Sequence, residues 1–156
     1  MIIAATGVLL VLLIMSCATA VVPLGPPEAM VVALTLVGTR SPGWALVVAA
    51  VAASGQAAGK LLVFLAVRGG LGRRCAIVDR LLRNRLLGRM AAHDAKHPRH
   101  MAALVGVSAL ASVPPLTVVC PLAGTTTMRV RLFVLATFAG RLARFSVLAL
   151  VPALLW

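Results

Sequence analysis

Four charged residues and one amide lie within or beside strongly apolar sequence, where polar side chains are unusual. Arg141 and Arg144 are three residues apart in one apolar run, so on a helix they share a face. Gln56 and Lys60 interrupt a second apolar run, and Glu28 directly follows a proline-rich segment. If these runs cross a bilayer, each charge at a helix centre costs at least about 2.5 kcal/mol, so such residues usually face protein or a polar cavity.

These side chains suit an anionic ligand, because three of them are cationic and one is a carboxylate. The planar fork of N–H donors on arginine matches phosphate, and helix N-termini add to the attraction. The sequence therefore predicts substrate or ion binding by five residues: Glu28, Gln56, Lys60, Arg141 and Arg144. The alternatives are a purely structural network of Glu28 with the two arginines, a capping role for Glu28 in the first turn of a helix at 28–39, and a snorkelling Lys60.

No pattern of an enzyme, a metal site or a cofactor site stands out. The sequence has no nucleophile with a matched base, no phosphate-cradling glycine motif and no catalytic carboxylate pair. His93, Asp94, His97 and His100 have helical spacing for a metal, but Pro98 interrupts that helix and neighbouring cations disfavour a metal. We therefore expect no enzymatic activity, no metal and no cofactor.

The composition requires a lipid environment. Of 156 residues, 62% are hydrophobic and only 12% are charged, whereas a soluble domain is about half apolar and about a quarter charged. The net charge of +12 is otherwise typical of nucleic-acid binding, but the chain has only four Phe, two Trp and no Tyr to stack on bases. The charge instead indicates orientation, because Lys and Arg collect on the cytoplasmic side.

Two apolar runs are long enough to span a bilayer, at 44–67 and 132–156. Shorter apolar segments flank two breaks. The predicted break residues are Pro23, Pro26, Pro27, Pro114, Pro115 and Gly124. Because proline removes a backbone donor and clashes with the preceding turn, each pair of segments is predicted to form a re-entrant helical hairpin, followed by one spanning helix.

Residues 68–100 form a basic segment between the two halves. Its apolar residues recur at helical spacing, which predicts an amphipathic cytoplasmic helix on an anionic membrane surface; a solvated loop helix is the alternative. With this segment inside the cell, the two hairpins open on opposite sides, which is the inverted-repeat pattern of transporters. We therefore predict an all-α, multi-pass protein of the cell membrane with one membrane domain: 1–67, the linker 68–100 and 101–156.

Two other interpretations of the first run remain open. Residues 1–22 are long enough to be an ordinary span, with the following prolines as kinks, which would move the N-terminus inside. Alternatively, Ala18-Thr19-Ala20 resembles a signal-peptide cleavage site, although no Lys or Arg precedes the apolar run.

Several short motifs resemble the DedA family, also called the VTT or SNARE-associated Golgi protein family, over nearly the whole chain. These motifs are the proline-rich break ending in Glu28, Gly55 to Gly59, Arg68-Gly69-Gly70, Pro114-Pro115, Leu122-Ala123-Gly124, Met128, Phe133 and Gly140-Arg141-Leu142-Ala143-Arg144-Phe145. The resemblance implies opposed re-entrant hairpins and transport of lipid, including recycling of undecaprenyl phosphate or scrambling of phospholipids, sometimes with proton coupling. Better-known members carry arginines where this chain has Ala111 and Thr117.

The residues and the resemblance together favour a translocator of a lipid or lipid phosphate. A membrane scaffold whose basic linker binds anionic lipid or a partner protein is the second hypothesis, and a small-molecule exporter is the third. We expect anionic membrane lipids as partners and no nucleic acid. Two hairpins and two spans provide few helices to enclose a transport path, so a homodimer is also expected.

Overall fold

The computed structural model describes residues 2–22, 27–37, 41–70, 98–113 and 115–155. All regular secondary structure within these residues is helical, which confirms the all-α prediction. The helices are α1 (Ile2–Val21), α2 (Pro27–Val37), α3 (Pro42–Arg68), α4 (Pro98–Ala111), α5 (Leu116–Gly124) and α6 (Val130–Leu155).

Proline marks where several of these helices begin. Pro27, Pro42 and Pro98 are the first residues of α2, α3 and α4, a position that suits proline because its missing N–H has no intrahelical partner there. Before α3, Ser41 acts as an N-cap whose Oγ accepts a hydrogen bond from the Trp44 N–H at 3.2 Å. The sequence therefore encodes these helix starts locally.

The chain leaves helical conformation at both predicted breaks. The first break separates α1 from α2, and the second separates α4 from α5. At the second break, Ser112 ends α4 with a φ of 58°, and its N–H donates to the Ser108 carbonyl at 2.9 Å. The helices on either side of each break contact each other.

Some predicted features lie outside the described residues. These are Pro23, Pro26, Pro114, most of the basic linker with its predicted amphipathic helix, and the linker residues His93, Asp94 and His97.

α3 and α6 are the predicted spans. The segments Pro42–Arg68 and Val130–Val151 are each long and apolar enough to cross a membrane, in agreement with the apolar runs at 44–67 and 132–156. α1 has 20 residues and α2 has 11, which correspond to about 30 Å and 16 Å of helix. α1 is therefore about twice as long as its partner, and its bounds match the apolar run at 1–22.

The chain divides into two compact units. Unit 1 comprises Met1–Gly59 and Arg141–Trp156, and unit 2 comprises Lys60–Gly140. Each of the long helices α3 and α6 contributes residues to both units.

Unit 1 is organised by a close crossing of α1 and α3. A Cβ atom at Gly55 would lie 2.5 Å from the Leu13 carbonyl oxygen, and one at Gly59 would lie 2.5 Å from that of Cys17. Both distances are too short for any side chain, so the two backbones touch. Small residues spaced four apart commonly permit such contacts between membrane helices.

Unit 2 has an apolar core built from α3, α4, α5 and α6. The rings of Phe64 and Phe133 stack at its centre with a centroid separation of 4.4 Å. Gly140 of α6 permits a close crossing with α4, since its Cβ would lie 2.7 Å from the Cβ of Ala109. Arg68 closes the end of α3: its guanidinium donates to the Met128 carbonyl at 2.9 Å and lies 5.8 Å from the centre of the Phe64 ring.

Candidate functional site

Glu28, Arg141 and Arg144 form one ionic cluster in unit 1. Glu28 lies in the first turn of α2, and both arginines lie on one face of α6. Glu28 Oε1 is 3.6 Å from the Nη1 of Arg141 and 3.3 Å from the Nε of Arg144. Three of the five predicted site residues are therefore brought together. The first-turn position also gives Glu28 a favourable interaction with the dipole of α2.

The members of this cluster differ in depth. The side chain of Arg141 is 9% exposed, whereas those of Glu28 and Arg144 are 24% and 26% exposed. Arg141 therefore forms the inner end of the cluster, where its guanidinium lies 5.9 Å from the centre of the Phe145 ring, within the range of a cation–π interaction. Glu28 and Arg144 form its more accessible end.

The cluster has an excess of positive charge and of hydrogen-bond donors. Two guanidiniums and one carboxylate sum to +1. Both ion pairs are longer than the roughly 2.7–2.9 Å of charge-assisted hydrogen bonds, and both end on the same carboxylate oxygen. Among the described residues, the buried Nε of Arg141 has no hydrogen-bond partner. The arrangement can therefore accept a further anionic or acceptor-rich group.

Gln56 belongs to the same unit but bonds to another helix. It is 2% exposed, and its Nε2 donates to the Ser16 carbonyl at 3.0 Å and to the Thr19 Oγ1 at 3.1 Å. Both acceptors lie on α1, next to the close crossing. Gln56 thus links α3 to α1 in this conformation, and its predicted role in substrate or ion binding stays a prediction.

Lys60 is assigned to unit 2 and is 4% exposed. Its side chain is therefore enclosed by protein, whereas snorkelling would bring the ammonium group to water. The thiol of Cys120 donates to the Lys60 backbone carbonyl at 3.2 Å. The structure thus places Lys60 and the ionic cluster in different units.

The three predicted break residues that the structure describes all lie at helix ends. Pro27 is the first residue of α2, and Pro115 is the N-cap of α5. Gly124 is the last residue of α5, where a Cβ would lie 3.0 Å from the Phe64 carbonyl oxygen. Gly124 therefore lies at a tight contact between α5 and α3.

Ser16 and Thr19, the acceptors for Gln56, were not predicted from sequence. A usable signal was present, because Ser16 and Ala20 are small residues four apart on α1, like Gly55 and Gly59 on α3. Matched small residues at this spacing indicate two helices in close contact.

Comparison with known proteins identifies the family. The model of the VTT domain, the domain of the DedA/SNARE-associated Golgi family, matches residues 22–154. The chain belongs to this family, as its motifs predicted. The family is membrane-associated, and it is generally not enzymatic. No curated protein and no solved structure matches the chain.

Proposed function

We propose that this protein moves a phosphate-bearing lipid across the cell membrane, with the phosphate bound by Arg141 and Arg144. The observation that carries the proposal is the net positive ionic cluster on α6, a helix long and apolar enough to span the bilayer. A buried and a partly buried arginine with a single carboxylate cost stability in an apolar environment, so a functional reason for keeping them is expected.

The chemistry of the cluster favours an anion over other ligands. Arginine offers about five N–H donors in a planar fork that fits phosphate oxygens, and the Nε–H of Arg141 has no hydrogen-bond partner within the described part of the chain. The partial exposure of Arg144 leaves one side of the cluster accessible. Export of a cation is disfavoured, because the net charge of +1 repels it.

A pattern shared by the two helix pairs supports the proposed repeat, and the topology experiment below tests whether it is inverted and its arms re-entrant. In both hairpins the first arm is longer: 20 and 11 residues for α1 and α2, and 14 and 9 for α4 and α5. In both, the long helix that follows carries a glycine at which the first arm packs closely. These glycines are Gly55, which contacts α1, and Gly140, which contacts α4. Each of these glycines precedes a buried polar residue, Gln56 or Arg141.

Transport is tested by lipid flux in proteoliposomes of neutral and anionic phospholipid that contain a fluorescent lipid phosphate. The double variant R141Q/R144Q should lose flux, because it removes both donors. The double variant R129Q/R131Q is the matched control, since it removes two exposed arginines from around the start of the same helix and should retain flux. Equal flux in both variants and the wild type would refute the proposal. Binding of anionic lipid without flux in the wild type would favour the scaffold hypothesis.

Topology is tested by cysteine accessibility in a variant that lacks Cys17, Cys75 and Cys120. The single substitutions are Gly25→Cys, Arg40→Cys, Met90→Cys, Pro115→Cys and Trp156→Cys. We expect positions 40 and 156 to label from outside, position 90 from inside, and positions 25 and 115 only with small reagents from opposite sides. Labelling of position 25 as a cytoplasmic loop would make α1 an ordinary span and would remove the inverted repeat.

A further inference from the structure

We infer that Glu28 is an internal competitor for the anion, a carboxylate that occupies the arginine site until a phosphate group displaces it. The inference rests on the proposed function and changes the role that the sequence suggested for Glu28. It assigns the anion-binding contacts to Arg141 and Arg144, and assigns to Glu28 the control of how tightly they bind.

The first argument is chemical. An ionised carboxylate is only an acceptor of hydrogen bonds, and so is a phosphate that has lost its protons. Glu28 therefore cannot bind such a ligand directly and repels it at short range. A residue of the same charge as the ligand, placed against both cationic groups of the site, competes with that ligand for them.

The second argument is geometric. Both arginines reach the same oxygen of Glu28, at 3.6 and 3.3 Å, so the carboxylate does not make the two-oxygen, parallel contact that arginine and carboxylate form at their strongest. The buried Arg141 Nε remains without a hydrogen-bond partner in the described part of the chain. A phosphate, which has more acceptor oxygens, offers these donors better partners than Glu28 does.

The third argument is the position of each group. The arginines lie on the 26-residue helix α6, and the deeper one is 9% exposed. Glu28 lies in the first turn of the 11-residue helix α2, directly after a proline, and its side chain is 24% exposed. The carboxylate is therefore on the accessible side of Arg141, where a ligand can displace it while the arginines stay in place.

The inference predicts that Glu28→Gln binds a phosphate-bearing lipid about tenfold more tightly than the wild type, a change within the usual range for coupled groups. Glutamine has nearly the same size and no charge. Without ligand, Glu28→Gln should be less thermostable, because two close cations lose their counter-charge. Added ligand should therefore raise its melting temperature more than that of the wild type.

The experiment uses the purified full chain in a neutral detergent, titrated with dodecyl phosphate and separately with inorganic phosphate. Tighter binding of dodecyl phosphate alone identifies a lipid headgroup, and tighter binding of both identifies the phosphate itself as the ligand. Glu28→Asp is the matched control, since it keeps the charge and should not bind more tightly than the wild type. If Glu28→Gln is too unstable to purify, Glu28→Ala is measured, and recovery of either folded protein by dodecyl phosphate supports the inference.

The outcomes separate this inference from the proposed function. Loss of binding in R141Q/R144Q together with tighter binding in Glu28→Gln supports both. Loss of binding in R141Q/R144Q and also in Glu28→Gln would make Glu28 part of the binding site, which overturns the competitor role but leaves the arginine site intact. Unchanged binding in R141Q/R144Q would overturn the proposed function, and the competitor role with it.

Discussion

Gly59→Ala should destabilise unit 1 by driving α1 away from α3. The new Cβ would lie 2.5 Å from the Cys17 carbonyl oxygen and 2.6 Å from the Ala20 Cβ. Carbon atoms in contact are normally about 3.5–4.0 Å apart, so one helix must shift by about 1 Å. Neither neighbouring atom belongs to the free end of a flexible side chain, so the clash cannot be relieved by a change of rotamer.

The size of the effect follows from two opposing contributions. Overpacking of this kind costs about 1–3 kcal/mol, and replacing a helical glycine by alanine returns up to about 1 kcal/mol. Because the clash is with atoms that cannot rotate away, the cost lies in the upper half of that range, about 2–3 kcal/mol, and subtracting the return of about 1 kcal/mol leaves a net loss of about 1–2 kcal/mol. For a chain of this length that loss lowers the melting temperature by about 2–8 °C.

Thermal unfolding of the purified protein in detergent, followed by size-exclusion chromatography of heated samples, measures this change. Gly7→Ala is the matched control, because Gly7 is also within a helix and a Cβ there meets nothing within 4 Å. It should be neutral or slightly stabilising. If Gly59→Ala proved as stable as Gly7→Ala, the close crossing of α1 and α3 would be wrong.

Two further substitutions test other parts of the structure. Gln56→Leu keeps the approximate volume but removes the hydrogen bonds to Ser16 and Thr19, and should cost about 0.5–1.5 kcal/mol in the same unfolding assay; an unchanged melting temperature would contradict this link between α3 and α1. Ser112→Gly should stabilise by up to about 1 kcal/mol, because a φ of 58° disfavours residues with a Cβ. The neighbouring Ala111→Gly should destabilise instead, and equal effects of the two changes would argue against the left-handed conformation at Ser112.

The sequence predicted the elements whose cause is local. The spans at 44–67 and 132–156 correspond closely to α3 and α6, since an apolar run of that length has one stable state in a bilayer. The break before Glu28 and the break at Pro115 fall between helices because several prolines close together disfavour a continuous helix, whereas the single Pro121 lies within α5. The bounds of α1 also match the apolar run at 1–22, but that length does not decide between an arm of a hairpin and an ordinary span.

Contacts between distant residues were harder to predict. The mutual approach of Glu28, Arg141 and Arg144 was one of several open pairings, because sequence spacing fixes neighbours on one helix but not the helix opposite. Gln56 shows the limit most clearly. The sequence predicted a role in substrate or ion binding for Gln56, and only the structure shows that its amide bonds to α1.

Gln56 and Arg141 occupy similar positions on α3 and α6, but their side chains make different contacts. Each directly follows a glycine at which another helix comes close, and each is buried. The amide of Gln56 is neutral and finds acceptors on α1, so it strengthens helix contact at little electrostatic cost. The guanidinium of Arg141 carries a full charge. It pairs with Glu28 through Nη1, and its Nε has no hydrogen-bond partner among the described residues. The neutral amide therefore makes a contact between two helices, and the difference between it and the charged guanidinium supports the anion site that we propose at Arg141.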